Sequence, residues 1–102
     1  MRISFHSSKM QKACSSEREM IKEFGKEIGR KLKQRLFELE AAPTMDQIPP
    51  HLMCHPLTSD LKGYYAVYLA QPYRLIFKPC SDVLALKSDG SLDLSMVDKI
   101  EI

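Results

Sequence analysis

The strongest constraint on the fold is an apolar stripe in the first half of the chain. Ser16 and Glu19 match a capping box at its start, and Pro43 ends it because proline disfavours helical backbone in the preceding residue. The pattern therefore predicts one long amphipathic helix between these signals. Six large apolar residues recur three or four positions apart, the spacing of one helix face: Ile21, Phe24, Ile28, Leu32, Leu36 and Leu39.

Weaker signals surround this helix. Residues 1–5 alternate as a short strand does, and residues 9–14 predict a short helix capped by Ser8. Gly25 and Gly29 predict a close approach of another backbone. Residues 44–52, which contain two adjacent prolines, predict a linker.

The second half alternates in the way that strands do. Residues 63–69 and 73–78 predict a hairpin, residues 83–96 an inserted hairpin or loop, and residues 96–102 a last strand. Helices followed by a strand meander predict an α+β fold, with two helices packed on one face of a small antiparallel sheet. We expect a single domain over residues 1–102.

Composition excludes several classes of protein. The longest apolar run, residues 64–70, is seven residues long, whereas a membrane-spanning helix needs about 20. The N-terminus lacks the apolar core of a signal peptide, which predicts a cytoplasmic protein. Cys14, Cys54 and Cys80 have neither zinc-site nor disulfide spacing, so we expect reduced thiols and no metal site.

Charge is distributed unevenly along the chain. Residues 1–78 hold 13 Lys and Arg against 8 Asp and Glu, whereas residues 79–102 hold 2 against 5. A basic body of this kind is typical of proteins that meet a polyanion, although it also fits an ordinary solvated surface. Four basic residues have the spacing of one helix face: Lys22, Lys26, Arg30 and Lys33.

Strand alternation divides the hairpin into two faces. Tyr64 and Tyr68 share one face with Arg74 and Lys78, a combination in which rings stack on bases and cations hold phosphates. A partly exposed sheet face without function fits the same residues. The opposite face predicts core: Tyr65, Val67, Leu69, Tyr73, Leu75 and Phe77.

His55 is the predicted acid/base histidine. Histidine exchanges protons near neutral pH, and an arginine such as Arg74 can clamp a phosphate in two places. His51 lies four residues before His55, but the surrounding prolines exclude the helix that would make them a metal-binding pair. A structural role beside Pro56 is the alternative for His55.

Residues 55–67 and 72–77 resemble the core motif of HigB-type plasmid-maintenance killer toxins, in the RelE/ParE superfamily of bacterial type II toxin–antitoxin systems. The family pattern runs His-Pro-Leu-x-Gly-Asp-x-x-Gly-aromatic-Trp-Ser-Ile, then aromatic-Arg-Ile-x-Phe. The resemblance implies a RelE-like fold and a ribosome-dependent endoribonuclease, an mRNA interferase that inhibits translation. It also implies a cognate antitoxin, the ribosome and mRNA as partners, and neither a membrane nor a small-molecule cofactor.

Carried over by motif, His55 takes the position of the catalytic histidine, Arg74 that of a phosphate-binding arginine and Lys62 that of a basic turn residue. The predicted RNA-binding residues are Tyr64, Tyr68 and Lys78. Ser59 replaces a family glycine, and the family's C-terminal Asp-Tyr-His-like motif has no counterpart before Ile102. The resemblance therefore implies either a chain shortened at its C-terminus or a weakened activity.

Two other functions are open. A ParE-like toxin blocks DNA gyrase by binding and needs no acid/base histidine. A degenerate toxin would serve only as an antitoxin-binding module. His55 and the basic, aromatic sheet face favour the nuclease, whereas the missing C-terminal motif favours the degenerate toxin.

Overall fold

A mixed five-stranded sheet organises the computed structural model, which describes residues 1–81 and 84–102. Its order is β1-β5-β4-β3-β2, and β1 runs parallel to β5 while the other neighbours are antiparallel. The predicted α+β class is confirmed, but the sheet is not purely antiparallel. The strands are β1 (Arg2–Ser4), β2 (His55–Pro56), β3 (Tyr65–Ala70), β4 (Tyr73–Pro79) and β5 (Lys99–Glu101).

The prediction of one long helix is wrong, and with it the prediction of two helices. The described residues contain three helices: α1 (Ser8–Ala13), α2 (Glu17–Phe24) and α3 (Lys26–Ala41). The chain turns at Gly25, whose φ of +89° lies in the region that favours glycine. The helical spacing continues across this glycine, so periodicity alone does not reveal the break. Among the described residues, no helix combines the length and apolar composition needed to cross a membrane.

Helices α2 and α3 form an antiparallel hairpin around Gly25. A Cβ atom on Gly29 would lie 2.7 Å from the backbone nitrogen of Ile21, so only glycine allows this approach. The predicted close backbone contact is confirmed at Gly29. Across the hairpin, Lys33 and Arg30 lie 3.1 Å and 4.0 Å from the Glu17 carboxylate. The predicted basic face is therefore divided between two helices and partly neutralised.

Serine side chains begin the first two helices. Ser7, and not Ser8 as predicted, caps α1 by accepting the Met10 N–H at 3.1 Å. Ser16 caps α2 by accepting the Glu19 N–H at 3.2 Å, as predicted.

The core lies between the helices and the inner face of the sheet. Val67, Leu69, Leu75 and Phe77 are all buried, which confirms the predicted inner face. Tyr73 differs: it begins β4 beside the Gln71–Pro72 turn, where 58% of its surface is exposed.

Residues 44–52 are part of this core and not the predicted linker. Met45, Ile48 and Leu52 are buried, and the segment forms two 3₁₀ turns, Met45–Gln47 and Pro50–Leu52. Prolines break regular helix here, but the apolar side chains between them still pack on the core.

The predicted insertion lies only partly within the described residues. Asp82 and Val83 are outside them. From residue 84 onward, the chain forms one antiparallel bridge between Leu86 and Leu92 and a 3₁₀ turn at Leu94–Met96, before β5 completes the predicted last strand.

Candidate active site

A cleft of about 340 Å³ opens where β2, β3 and β4 meet. It brings together three of the six predicted site residues, His55, Tyr68 and Arg74, although they come from separate strands. The cleft lining is Met53, His55, Tyr68, Gln71, Pro72, Tyr73 and Arg74.

The pairing register of the strands explains why these three side chains lie in one cleft. His55 of β2 lies opposite Ala66 of β3, and Tyr68 of β3 lies opposite Arg74 of β4. Residues two apart on a strand point to the same face, so these three side chains all project from one face of the sheet, the outer face, opposite to the buried Val67 and Leu75. Ala66 contributes only a methyl group to the row between His55 and Ile76.

The tautomer of His55 follows from its hydrogen bond. Its Nδ1 lies 2.9 Å from the backbone oxygen of Met53. A carbonyl oxygen only accepts, so Nδ1 carries the proton and the neutral ring keeps a free lone pair on Nε2. Met53 has a left-handed φ of 54°, an arrangement that costs a residue with a side chain about 1–2 kcal/mol. The cleft thus holds a histidine prepared to accept a proton.

Arg74 offers a positive charge to the cleft. Its side chain is exposed, and within the described part of the chain no carboxylate lies within ion-pair distance of it. Tyr68 and Tyr73 lie beside it, with 37% and 58% of their surfaces exposed. A phosphate and an aromatic base could therefore be held side by side.

Lys62, Tyr64 and Lys78 lie outside the cleft. Lys62 is exposed in the loop after a 3₁₀ turn, and Tyr64 is half-buried before β3 begins. The Lys78 ammonium lies 3.6 Å from the Glu101 carboxylate at the far side of β4. Lys78 is on the predicted face, but its charge is already paired.

Cys54 and His55 face opposite sides of the strand, as their adjacency predicts. Cys54 packs against the core, where burial raises the pKa of its thiol. It therefore stays protonated at neutral pH and does not form a nucleophile–base pair with His55.

An ionic network that runs from the buried Arg35 to the exposed His51 escaped the sequence reasoning. Arg35 donates from Nε to the Tyr68 carbonyl at 2.7 Å and from Nη1 to Glu38 at 2.7 Å. The other oxygen of Glu38 lies 2.9 Å from Nε2 of His51. One signal was available: Arg35 occupies a position of the apolar stripe, three residues after Leu32. Tyr73 and Gln71 of the cleft were also missed: Gln71 lies in the turn, and alternation placed Tyr73 on the core face, whereas the irregular register next to the turn leaves it exposed.

Comparisons with protein-family models, with curated proteins and with solved structures found no match.

Proposed function

We propose that this chain is a HigB-like toxin of the RelE/ParE superfamily, a metal-independent and ribosome-dependent endoribonuclease that cuts mRNA. The observation that carries the proposal is the cleft in which His55, Tyr68 and Arg74 meet. The family motif assigns the acid/base role to His55 and the phosphate-binding role to Arg74, whereas Tyr68 was predicted to bind RNA from strand alternation. The order of strand, helices, meander and final strand also supports a RelE-like fold.

The cleft can supply the groups that RNA cleavage requires. Nε2 of His55 accepts the proton of a ribose 2′-hydroxyl, whose oxygen then attacks the adjacent phosphorus. Arg74 binds the phosphate oxygens, on which negative charge develops in the transition state. The bond to the 5′-oxygen breaks, that oxygen takes a proton from water, and the protonated His55 returns its proton to the resulting hydroxide. The products are a 2′,3′-cyclic phosphate and a 5′-hydroxyl.

One observation favours a second function. Within the described residues, the cleft is lined by a single histidine and by no carboxylate. A degenerate toxin that keeps its fold but only binds an antitoxin would have such a site, because binding needs no second acid/base group.

Induced expression of the chain in bacteria separates these functions. The endoribonuclease proposal predicts arrested translation and mRNA fragments cut on ribosomes, ending in 2′,3′-cyclic phosphate. His55→Gln should restore growth, whereas His6→Gln, which changes a histidine far from the cleft, should not. Growth arrest with intact mRNA and inhibited gyrase supercoiling would establish the ParE-like function instead. Normal growth would favour the antitoxin-binding module.

The partner that we propose is a small, acidic antitoxin. Lys22, Lys26 and Lys31 are exposed on the α2–α3 hairpin, and they offer a surface of complementary charge. Co-expression with the neighbouring open reading frame should give one complex in size-exclusion chromatography. Separate elution at micromolar concentration would contradict this assignment.

A further inference from the structure

Arg35 is the one buried charged residue among those that the structure describes, with 5% of its surface exposed. Its guanidinium reaches the edge of β3. Strand β2 pairs with β3 at His55 and Pro56, and within the described residues no strand pairs with that edge of β3 beyond Ala66. There the Tyr68 carbonyl accepts its hydrogen bond from Arg35 Nε at 2.7 Å, and the guanidinium lies 5.9 Å from the centre of the Tyr68 ring. Arg35 therefore holds one wall of the cleft.

The same network reaches the opposite wall. Glu38 accepts from Arg35 at 2.7 Å with one oxygen and contacts His51 at 2.9 Å with the other. His51 belongs to the Pro50–Leu52 turn, which is followed directly by Met53, the residue whose carbonyl orients His55. Helix α3 thus connects the wall that carries Tyr68 to the wall that carries His55.

We propose that Arg35, Glu38 and His51 are positioning residues that set the distance between these two walls. Charge-assisted hydrogen bonds are short and directional, so these two bonds favour one geometry of the attached segments, the buried Arg35–Glu38 bond more strongly than the exposed His51–Glu38 bond. None of the three side chains lines the cleft, so they act through Tyr68 and His55. The effect on cleavage rests on the proposed function, whereas the effect on geometry does not.

His51 gives the cleanest test because its side chain is 64% exposed and its removal leaves the Arg35–Glu38 ion pair intact. His6 is the matched control: it is also an exposed histidine beside a carboxylate, 3.4 Å from Glu101. The variants are His51→Ala, His6→Ala and His51→Gln, whose amide can again donate to Glu38.

Two measurements are made on each variant: the ¹H–¹³C NMR signals of the His55 ring in the free protein, and single-turnover cleavage on programmed ribosomes. We expect His51→Ala to move the His55 signals and to slow cleavage about ten- to hundredfold, as misplacement of about 1 Å does. His51→Gln should largely restore both, and His6→Ala should change neither.

Unchanged His55 signals in His51→Ala, or equal changes in His6→Ala, would overturn the proposal. Failure of His51→Gln to restore the signals would also overturn it. If the His55 signals move as expected but the wild-type protein cuts no RNA, the positioning role of the network is supported and the proposed function is wrong. Thermal melts show whether a variant has lost its fold. The Arg35–Glu38 contact is tested by the His55 signals of Glu38→Gln, with the exposed Glu40→Gln on the same helix as its control.

Discussion

The two ends of the outer sheet face carry similar residues in different electrostatic states. At the β1–β5 end, the Glu101 carboxylate lies 3.4 Å from His6 and 3.6 Å from Lys78, so this histidine and this cation share one anion. At the cleft end, His55 is bonded to a backbone carbonyl, and Arg74 has no carboxylate beside it in the described residues. A cation binds a phosphate strongly only if its charge is not already paired. Residue type alone therefore does not make a site.

The largest difference in cleavage rate that we expect is between variants of two histidines, His55 and His6. His55→Gln removes proton transfer while keeping a similar size, so it should lower the single-turnover cleavage rate about 10²–10⁴-fold. His6→Gln should leave the rate within about twofold, because that ring lies outside the cleft. Wild-type cleavage by a folded His55→Gln protein would reduce His55 to a structural residue.

The second-largest difference in cleavage rate should be between variants of Arg74 and Lys78. Arg74→Ala removes a donor to the developing phosphate charge and should slow cleavage about 10²–10³-fold. Lys78→Ala should cost about threefold or less, because Lys78 lies opposite Glu101. The measurement is the single-turnover cleavage rate of both variants on the same programmed ribosomes. Equal losses of rate would show that Lys78 contributes to cleavage despite its ion pair with Glu101.

Tyrosines inside and outside the cleft provide the third test. Tyr68→Leu should weaken binding of a single-stranded RNA about 5- to 150-fold, the range that corresponds to loss of one base stack. Tyr68→Phe keeps the ring and should bind nearly as well as wild type. Fluorescence anisotropy with a labelled oligonucleotide measures both. A comparable loss in Tyr64→Leu would mean that RNA extends beyond the cleft.

The smallest effect should come from the residue next to His55. Cys54→Ala should change the cleavage rate by about twofold or less, because Cys54 faces the core. Since burial raises the pKa of this thiol, its alkylation in the folded protein should require a higher pH than in the unfolded chain. Mass spectrometry of iodoacetamide adducts across a pH series measures this, and equal pH profiles would contradict the burial of Cys54.

Local sequence determined the fold class and much of the candidate site. Alternation placed Leu75 and Phe77 in the core and Arg74 on the outer face, because successive side chains of a regular strand point to opposite faces. Ser16 marked a helix start for a similarly local reason, since its partner lies three residues away. The motif around His55 supplied a chemical hypothesis without any knowledge of the sheet.

Only the tertiary structure decided which charges are available and which segments are buried. Gly25 turns a continuous apolar stripe into a hairpin, and the proline-containing residues 44–52 enter the core. The pairing of Lys78 with Glu101 depends on the register of β4 and β5. Likewise, Arg35 is buried because β2 ends early and leaves the Tyr68 carbonyl in need of a donor. Helical and strand periods act within a few residues, whereas burial and charge pairing depend on which distant segments pack together.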